Sequence, residues 1–245
     1  MRWSKALSGW VSPISHGRLG WDRGRSAALL CAFALALPAT AQAPPAPAPR
    51  FVVVIDAAHG GDDAGGRLAS GQMEKAVTLA LSVRLRSLLA ARGISVATTR
   101  ESDATIDPNR RAEIANHAKA EACISLHATE TGSGIHLFTS SLPPAPATRF
   151  VAWKTAQGPW VNRSLALAGA MNSAMLHAGF TVTISRTALI AVDSMACPAL
   201  AVEVAPARAS DGTVTAEPDD ANYQATVATA LATALLEWRM EGRQP

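Results

Sequence analysis

The run Phe51-Val-Val-Val-Ile55 limits the fold of this chain more than any other feature. It is apolar at every position and rich in β-branched side chains, so it has no face to offer water. Such a strand is buried on both sides, as in a parallel sheet covered by helices. It leads into Asp56-Ala-Ala-His59-Gly60-Gly61-Asp62-Asp63-Ala-Gly65-Gly66, a glycine-rich loop. From Glu74 the spacing turns helical, with Val77, Leu81, Leu85, Leu88 and Leu89 on one face and Gly93 as the stop. Ile94–Thr99 reads as a second strand. Asp107-Pro108 is a cap followed by a first-turn proline, opening a helix with Arg111, Ile114, Ala115 and Ala118 along one side.

Ala122–Leu126 is a third apolar strand, ending at His127, and Gly134–Thr139 is a fourth. Prolines 143, 144 and 146 break the connection that follows. Asn162–His177 is then helical, Thr181–Ser185 extended, and Ala199–Val204 an apolar strand carrying one acid, Glu203. The last helix starts near Ala221 and turns Val227, Leu231, Ala234, Leu235 and Trp238 inward. Strand and helix alternate without an internal repeat, which predicts a single α/β domain with a largely parallel sheet.

The formal charge of +3 does not point to a polyanion. Residues 1–43 contain Arg2, Lys5, Arg18, Arg23 and Arg25 against Asp22, a local net of +4, so the remainder carries −1. Nucleic acid is therefore not an expected partner. The basic segment precedes the apolar run Ser26–Leu37 and then Ala41-Gln42-Ala43, the order of a secretory signal peptide. About a dozen apolar residues are too few to cross a hydrocarbon core of roughly 30 Å. An uncleaved anchor is the alternative, and Cys31 matches a lipoprotein site poorly.

Pro44–Pro49 alternates proline and alanine as a stiff extended spacer. The expected organisation is a signal peptide at 1–43, a linker at 44–50 and a single folded domain at 51–245. No stable membrane span remains after cleavage, and the location is periplasmic or otherwise exported to the cell envelope. Cys123 and Cys197 are then the only cysteines left, and they either pair or stay free and buried.

Four polar residues need an explanation. His59 and His127 each follow an apolar strand, at the edge where α/β sheets bind ligands. Glu74 opens a helix beside that edge, and Glu203 interrupts an apolar strand, where an unpaired carboxylate costs several kcal/mol to bury. Two histidines and a carboxylate are a common ligand set for catalytic zinc, and a further carboxylate can take a proton from water. On residue type alone the histidines can equally be hydrogen-bonded strand ends, with Glu203 paired to an arginine such as Arg186. His136, His177 and His117 read as ordinary residues, and Asp62–Asp63 as capping or solvating their loop.

The segment Val53–Gly65 with Glu74-Lys75, then Thr99-Arg100-Glu-Ser-Asp103, Arg111–Ala120, Ile124-Ser-Leu-His127-Ala128 and Cys197-Pro198-Ala-Leu-Ala-Val-Glu203, resembles the type 3 N-acetylmuramoyl-L-alanine amidases in order. The resemblance implies a twisted sheet of about six strands with helices on both faces. It also implies Zn2+ bound by His59, Glu74 and His127, and catalysis by Glu203. The implied substrate is peptidoglycan, with room for a protein activator. Alternatives are a degenerate amidase that binds peptidoglycan or a partner, or a zinc peptidase or deacetylase on another envelope substrate.

Three positions depart from the family pattern. Ala57-Ala58 stands where Pro-Gly is usual, Ala128-Thr129-Glu130 replaces an Ala-Asn pair, and Val204-Ala205-Pro206 replaces a Gly-Phe-type turn. All ligands and the acid are retained, so these departures bear on substrate fit and rate. The segment between Phe138 and Asn162 is short, with little room for an occluding helix.

Overall fold

The computed structural model describes residues 50–242; residues 1–43, expected to be a signal peptide, and residues 44–49 of the expected linker lie outside them. The elements run β1 (Val52–Ala57), α1 (Glu74–Ala90), β2 (Ser95–Thr98), α2 (Pro108–Ala118), β3 (Ala122–Ala128), β4 (Ile135–Ser140), α3 (Val161–His177), β5 (Val182–Thr187), α4 (Ile190–Asp193), β6 (Ala199–Val204), β7 (Ala207–Arg208), β8 (Val214–Ala216) and α5 (Ala221–Glu241). Between β4 and α3 the described chain forms only two single 3-10 turns, Trp153–Thr155 and Gly158–Trp160, and no occluding helix.

The main sheet has the order β2-β1-β3-β6-β4-β5. Strands β2, β1, β3 and β6 are mutually parallel, and β4 joins antiparallel to β6 with β5 parallel to β4. The sheet is therefore mixed, with a reversed pair at one edge.

Its two faces differ in chemistry. One carries Val53, Ile55, Ile124, Leu126, Leu200, Val202 and Leu137, covered by α1, α3 and α5 to form the larger core. Within this core Leu81, Leu85 and Leu89 of α1 and Val227, Leu231, Leu235 and Trp238 of α5 are buried, as their spacing requires. The other face carries Val54, Cys123 and Ala199 against Ala112 and Ala115 of α2 and Val192 of α4. Helices thus cover both faces. Because alternate residues of a strand face opposite ways, Asp56, Ser125, His127 and Glu203 leave on this second, thinner face.

Local signals account for the ends of elements. The Asp107 side chain accepts from the Asn109 and Arg110 amides, with Pro108 inside the first turn, and Asp220 caps α5 in the same way. Tyr223 reaches back from α5 to donate to the Ala205 carbonyl at 2.9 Å, tying the helix to the end of β6. Burial pushes its hydroxyl pKa up to about 12, so it stays a donor at ordinary pH. Cys123 and Cys197 are joined in a disulfide with a Cα–Cα distance of 6.3 Å. This resolves the two readings of the cysteines in favour of pairing. The bond fastens the start of β3 to the loop entering β6, the two strands that carry His127 and Glu203.

Candidate metal centre

His59 sits two residues beyond β1 with φ of 61°, a left-handed conformation that costs energy for a residue with a Cβ. Buried arginines hold it there. Arg111 donates from Nη2 to the His59 carbonyl at 2.6 Å and from Nη1 to Asp56 Oδ1 and the Ala57 carbonyl, both at 2.7 Å. Arg100 donates to the carbonyls of Ala57, Ala58 and Lys75. Lys75 Nζ binds the Gly61 carbonyl and Asp103, which in turn accepts from the Gly61 amide. The loop is thus gripped from α1, α2 and the segment after β2.

The geometry converges on Glu74. Its carboxylate divides between the two imidazoles, with Oε2 3.1 Å from His59 Nε2 and Oε1 3.0 Å from His127 Nδ1. The amides of Gly66 and Ala128 donate one to each oxygen. At Gly65 (φ 66°) a Cβ would come within 2.6 Å of His59 Cδ2 and 2.8 Å of Glu74 Oε2, so the glycine leaves these two side chains their space. Ligand atoms of His59, Glu74 and His127 all lie within 4.8 Å of one another. Two imidazole nitrogens and a carboxylate at this spacing fit a divalent cation.

The surrounding groups orient the rings. His59 Nδ1 donates to Asp63 Oδ2 at 2.8 Å, which directs Nε2 inward. Asp63 caps the loop as expected, Oδ1 accepting from the Gly65 amide at 3.1 Å, and its other oxygen is the partner of the first histidine. Ser125 Oγ donates to buried Asp56 at 2.7 Å and lies 3.5 Å from His127 Nε2. Burial of Glu74 opposes its ionisation, but the hydrogen bonds from His127 and His59 outweigh this and hold the carboxyl far below the usual range. Glu74 in turn raises the His59 pKa, against the effect of burial, and His59 lowers that of Asp63.

His127 lies inside β3, as its penultimate residue, and not beyond the strand as its sequence suggests. Glu203 is its direct register partner on β6. The Glu203 side chain is 31% exposed, so it stands beside His127 without full desolvation. Its partner is His136, with Nδ1 2.9 Å from Oε2, and not Arg186, which binds the carbonyls of Ser140 and Leu142.

Asp56, Asp63, Arg111 and both candidate histidines line a cleft of about 330 Å³ that is also walled by the apolar segment Ala188–Val192. Arg100, Arg111 and His136 were not singled out as functional by sequence. For Arg111 a signal exists, a cation on the same helix side as Ala115.

Known proteins resemble this chain in sequence and in fold. The N-acetylmuramoyl-L-alanine amidase family model matches residues 53–237. N-acetylmuramoyl-L-alanine amidase AmiA of Escherichia coli is 42% identical over 77 residues, 31% of this chain and 27% of that protein. The germination-specific amidase of Bacillus subtilis is 34% identical over 90 residues, 31% of this chain and 38% of that protein. The matched stretches thus span less than two fifths of these relatives.

Among solved structures, Ami1 from Mycobacterium smegmatis superposes with a TM-score of 0.63 at 21% identity, covering 78% of this chain and 97% of that one. The catalytic domain of CwlV from Bacillus (Paenibacillus) polymyxa does so with 0.60 at 24%, covering 78% and 98%. At these identities the superpositions establish the fold. Together with the family match over most of the described domain, they show that this chain belongs to the type 3 N-acetylmuramoyl-L-alanine amidase family.

Proposed function

We propose that the domain hydrolyses the amide between the lactyl group of N-acetylmuramic acid and L-alanine of the peptidoglycan stem peptide, with a zinc ion held by His59, Glu74 and His127. The observation that carries this reading is the single carboxylate of Glu74 shared between two histidines at a cleft edge, in a chain of this family. A zinc ion bound there supplies Lewis acidity towards the scissile carbonyl and lowers the pKa of the attacking water.

The chain's own residues do the rest. Glu203 accepts a proton from the water as its oxygen bonds to the carbonyl carbon. It then delivers that proton to the alanine nitrogen as the C–N bond breaks. The products are a free lactyl carboxylate and a peptide with a new α-amine. Asp63 and Ser125 keep the two imidazoles oriented, and the Ala188–Val192 wall helps exclude water from the cleft.

The same reading places the protein in the cell envelope, with residues 1–43 removed as a signal peptide and 44–50 as a spacer before the catalytic domain. Mass spectrometry of muropeptides after digestion tests it. Zinc-dependent appearance of stem peptides starting with L-alanine supports the reading, and cleavage at any other bond overturns it.

A further inference from the structure

We propose that His136 is a positioning residue that fixes the Glu203 carboxylate for proton transfer, an inference that rests on the reading of Glu203 as the base. Register places it for this task. In β3, β6 and β4 the residues His127, Glu203 and His136 are successive direct partners, so three polar side chains stand in a row on one face. One position along, Leu126, Val202 and Leu137 form the matching row on the opposite face and are wholly buried. The row ends at the metal-ligand cluster, and the Glu203–His136 pair in it is held by a direct side-chain contact.

The contact is specific. His136 Nδ1 lies 2.9 Å from Glu203 Oε2, and an ionised carboxylate only accepts, so Nδ1 carries the hydrogen. Among the described residues Glu203 Oε1 has no hydrogen-bond partner, and the side chain is partly exposed, which leaves this oxygen available to water. A glutamate has three rotatable bonds and loses side-chain freedom when it is held in one pose. A donor that takes one oxygen selects the pose that presents the other.

The imidazole is itself held on several sides. At Gly132 (φ 81°) a Cβ would come within 2.5 Å of the His136 Cε1 and 2.9 Å of Nε2, so the loop after β3 closes directly over the ring. Arg208 Nε donates to the Gly132 carbonyl at 3.0 Å and anchors that loop to β7. The Phe138 ring packs edge-on with a centroid distance of 6.4 Å. The relay therefore runs from Arg208 through Gly132 and His136 to Glu203.

The test compares zinc-loaded wild type, His136→Leu, His136→Asn and Glu203→Gln on a soluble muramoyl peptide, with kcat, KM, zinc content and thermal melting on the same preparations. His136→Leu should keep its zinc, melting temperature and KM while kcat falls about 10–100-fold, the usual effect of losing an orienting partner. His136→Asn, which places an amide donor near the Nδ1 position, should recover most of that loss. His136→Leu in the Glu203→Gln background should add no further loss.

Near-wild-type kcat in folded His136→Leu, or kcat and melting temperature falling together without recovery in His136→Asn, would overturn the proposal. If His136→Leu does not fold, His136→Asn against His136→Gln decides. Gln carries its donor nearer the Nε2 position and should be slower, and equal rates overturn the inference. Wild-type turnover by Glu203→Gln would instead fell the reading of Glu203 as base, a result separable from inactive Glu203→Gln beside fully active His136→Leu.

Discussion

His127 and Glu203 are direct partners across the parallel register of β3 and β6. Their side chains leave the same face of the sheet, one strand spacing of about 4.8 Å apart. A candidate metal ligand and a candidate base are thereby set side by side by backbone hydrogen bonding, the most rigid device the fold has.

The ligand assignment predicts metal content. Purified wild type should carry about one zinc per chain, and His127→Ala should lose most of it at the same protein concentration. Removing one of three protein ligands leaves two donors, too few to hold zinc against a mild chelator. Equal zinc after identical dialysis would exclude His127 from the site.

The disulfide predicts a redox-dependent melt. It closes a loop of 74 residues between β3 and the entry to β6, which corresponds to about 4 kcal/mol on a loop-entropy scale. Cys123→Ser/Cys197→Ser should melt well below the oxidised wild type and match the reduced wild type. Unchanged melting would mean that the bond does not contribute.

Without metal, the site has its own pH dependence. The lowered Glu74 pKa contributes stability that is present above its ordinary 4.5 and lost as pH falls through the folded value. The raised His59 pKa contributes stability that is present below its ordinary 6.5 and lost as pH rises through the folded value. The pair thus stabilises the metal-free protein most between pH 4.5 and 6.5. Zinc needs neutral imidazoles, so the gain in melting temperature on adding zinc should grow from mildly acidic to alkaline pH. Glu74→Gln should flatten the metal-free profile, and an unchanged profile would contradict this coupling.

The fold is legible in the sequence wherever one residue pattern admits one structure. Phe51–Ile55 and Ala199–Val204 are apolar at nearly every position and become strands covered on both faces. The Asp107-Pro108 pair starts α2 where its chemistry demands. His59, Glu74 and His127 stand out by type and by place at strand and helix ends, but only the family resemblance joins them as one ligand set.

Relations that depend on tertiary register were not legible. Glu203 and His136 are 67 positions apart, and they meet only because β4 runs antiparallel beside β6 in one register. A slip of one residue would turn His136 into the core. Asp63 escaped for a related reason: only the left-handed turn at His59 folds the ring back over its own loop.

Export predicts a processed N-terminus. The envelope fraction should yield a species beginning near Pro44, consistent with cleavage after Ala41-Gln42-Ala43. A full-length form retained in the inner membrane would identify the segment as an anchor.

The most direct measurement is the rate at which zinc-loaded Glu203→Gln releases new L-alanine amino termini from purified peptidoglycan, beside zinc-loaded wild type. Gln keeps the shape of the side chain and removes its basicity. The account predicts unchanged melting and zinc content with a rate lowered about 10²–10⁴-fold, the scale of acid–base contributions. A near-wild-type rate from the folded, zinc-loaded variant would contradict it.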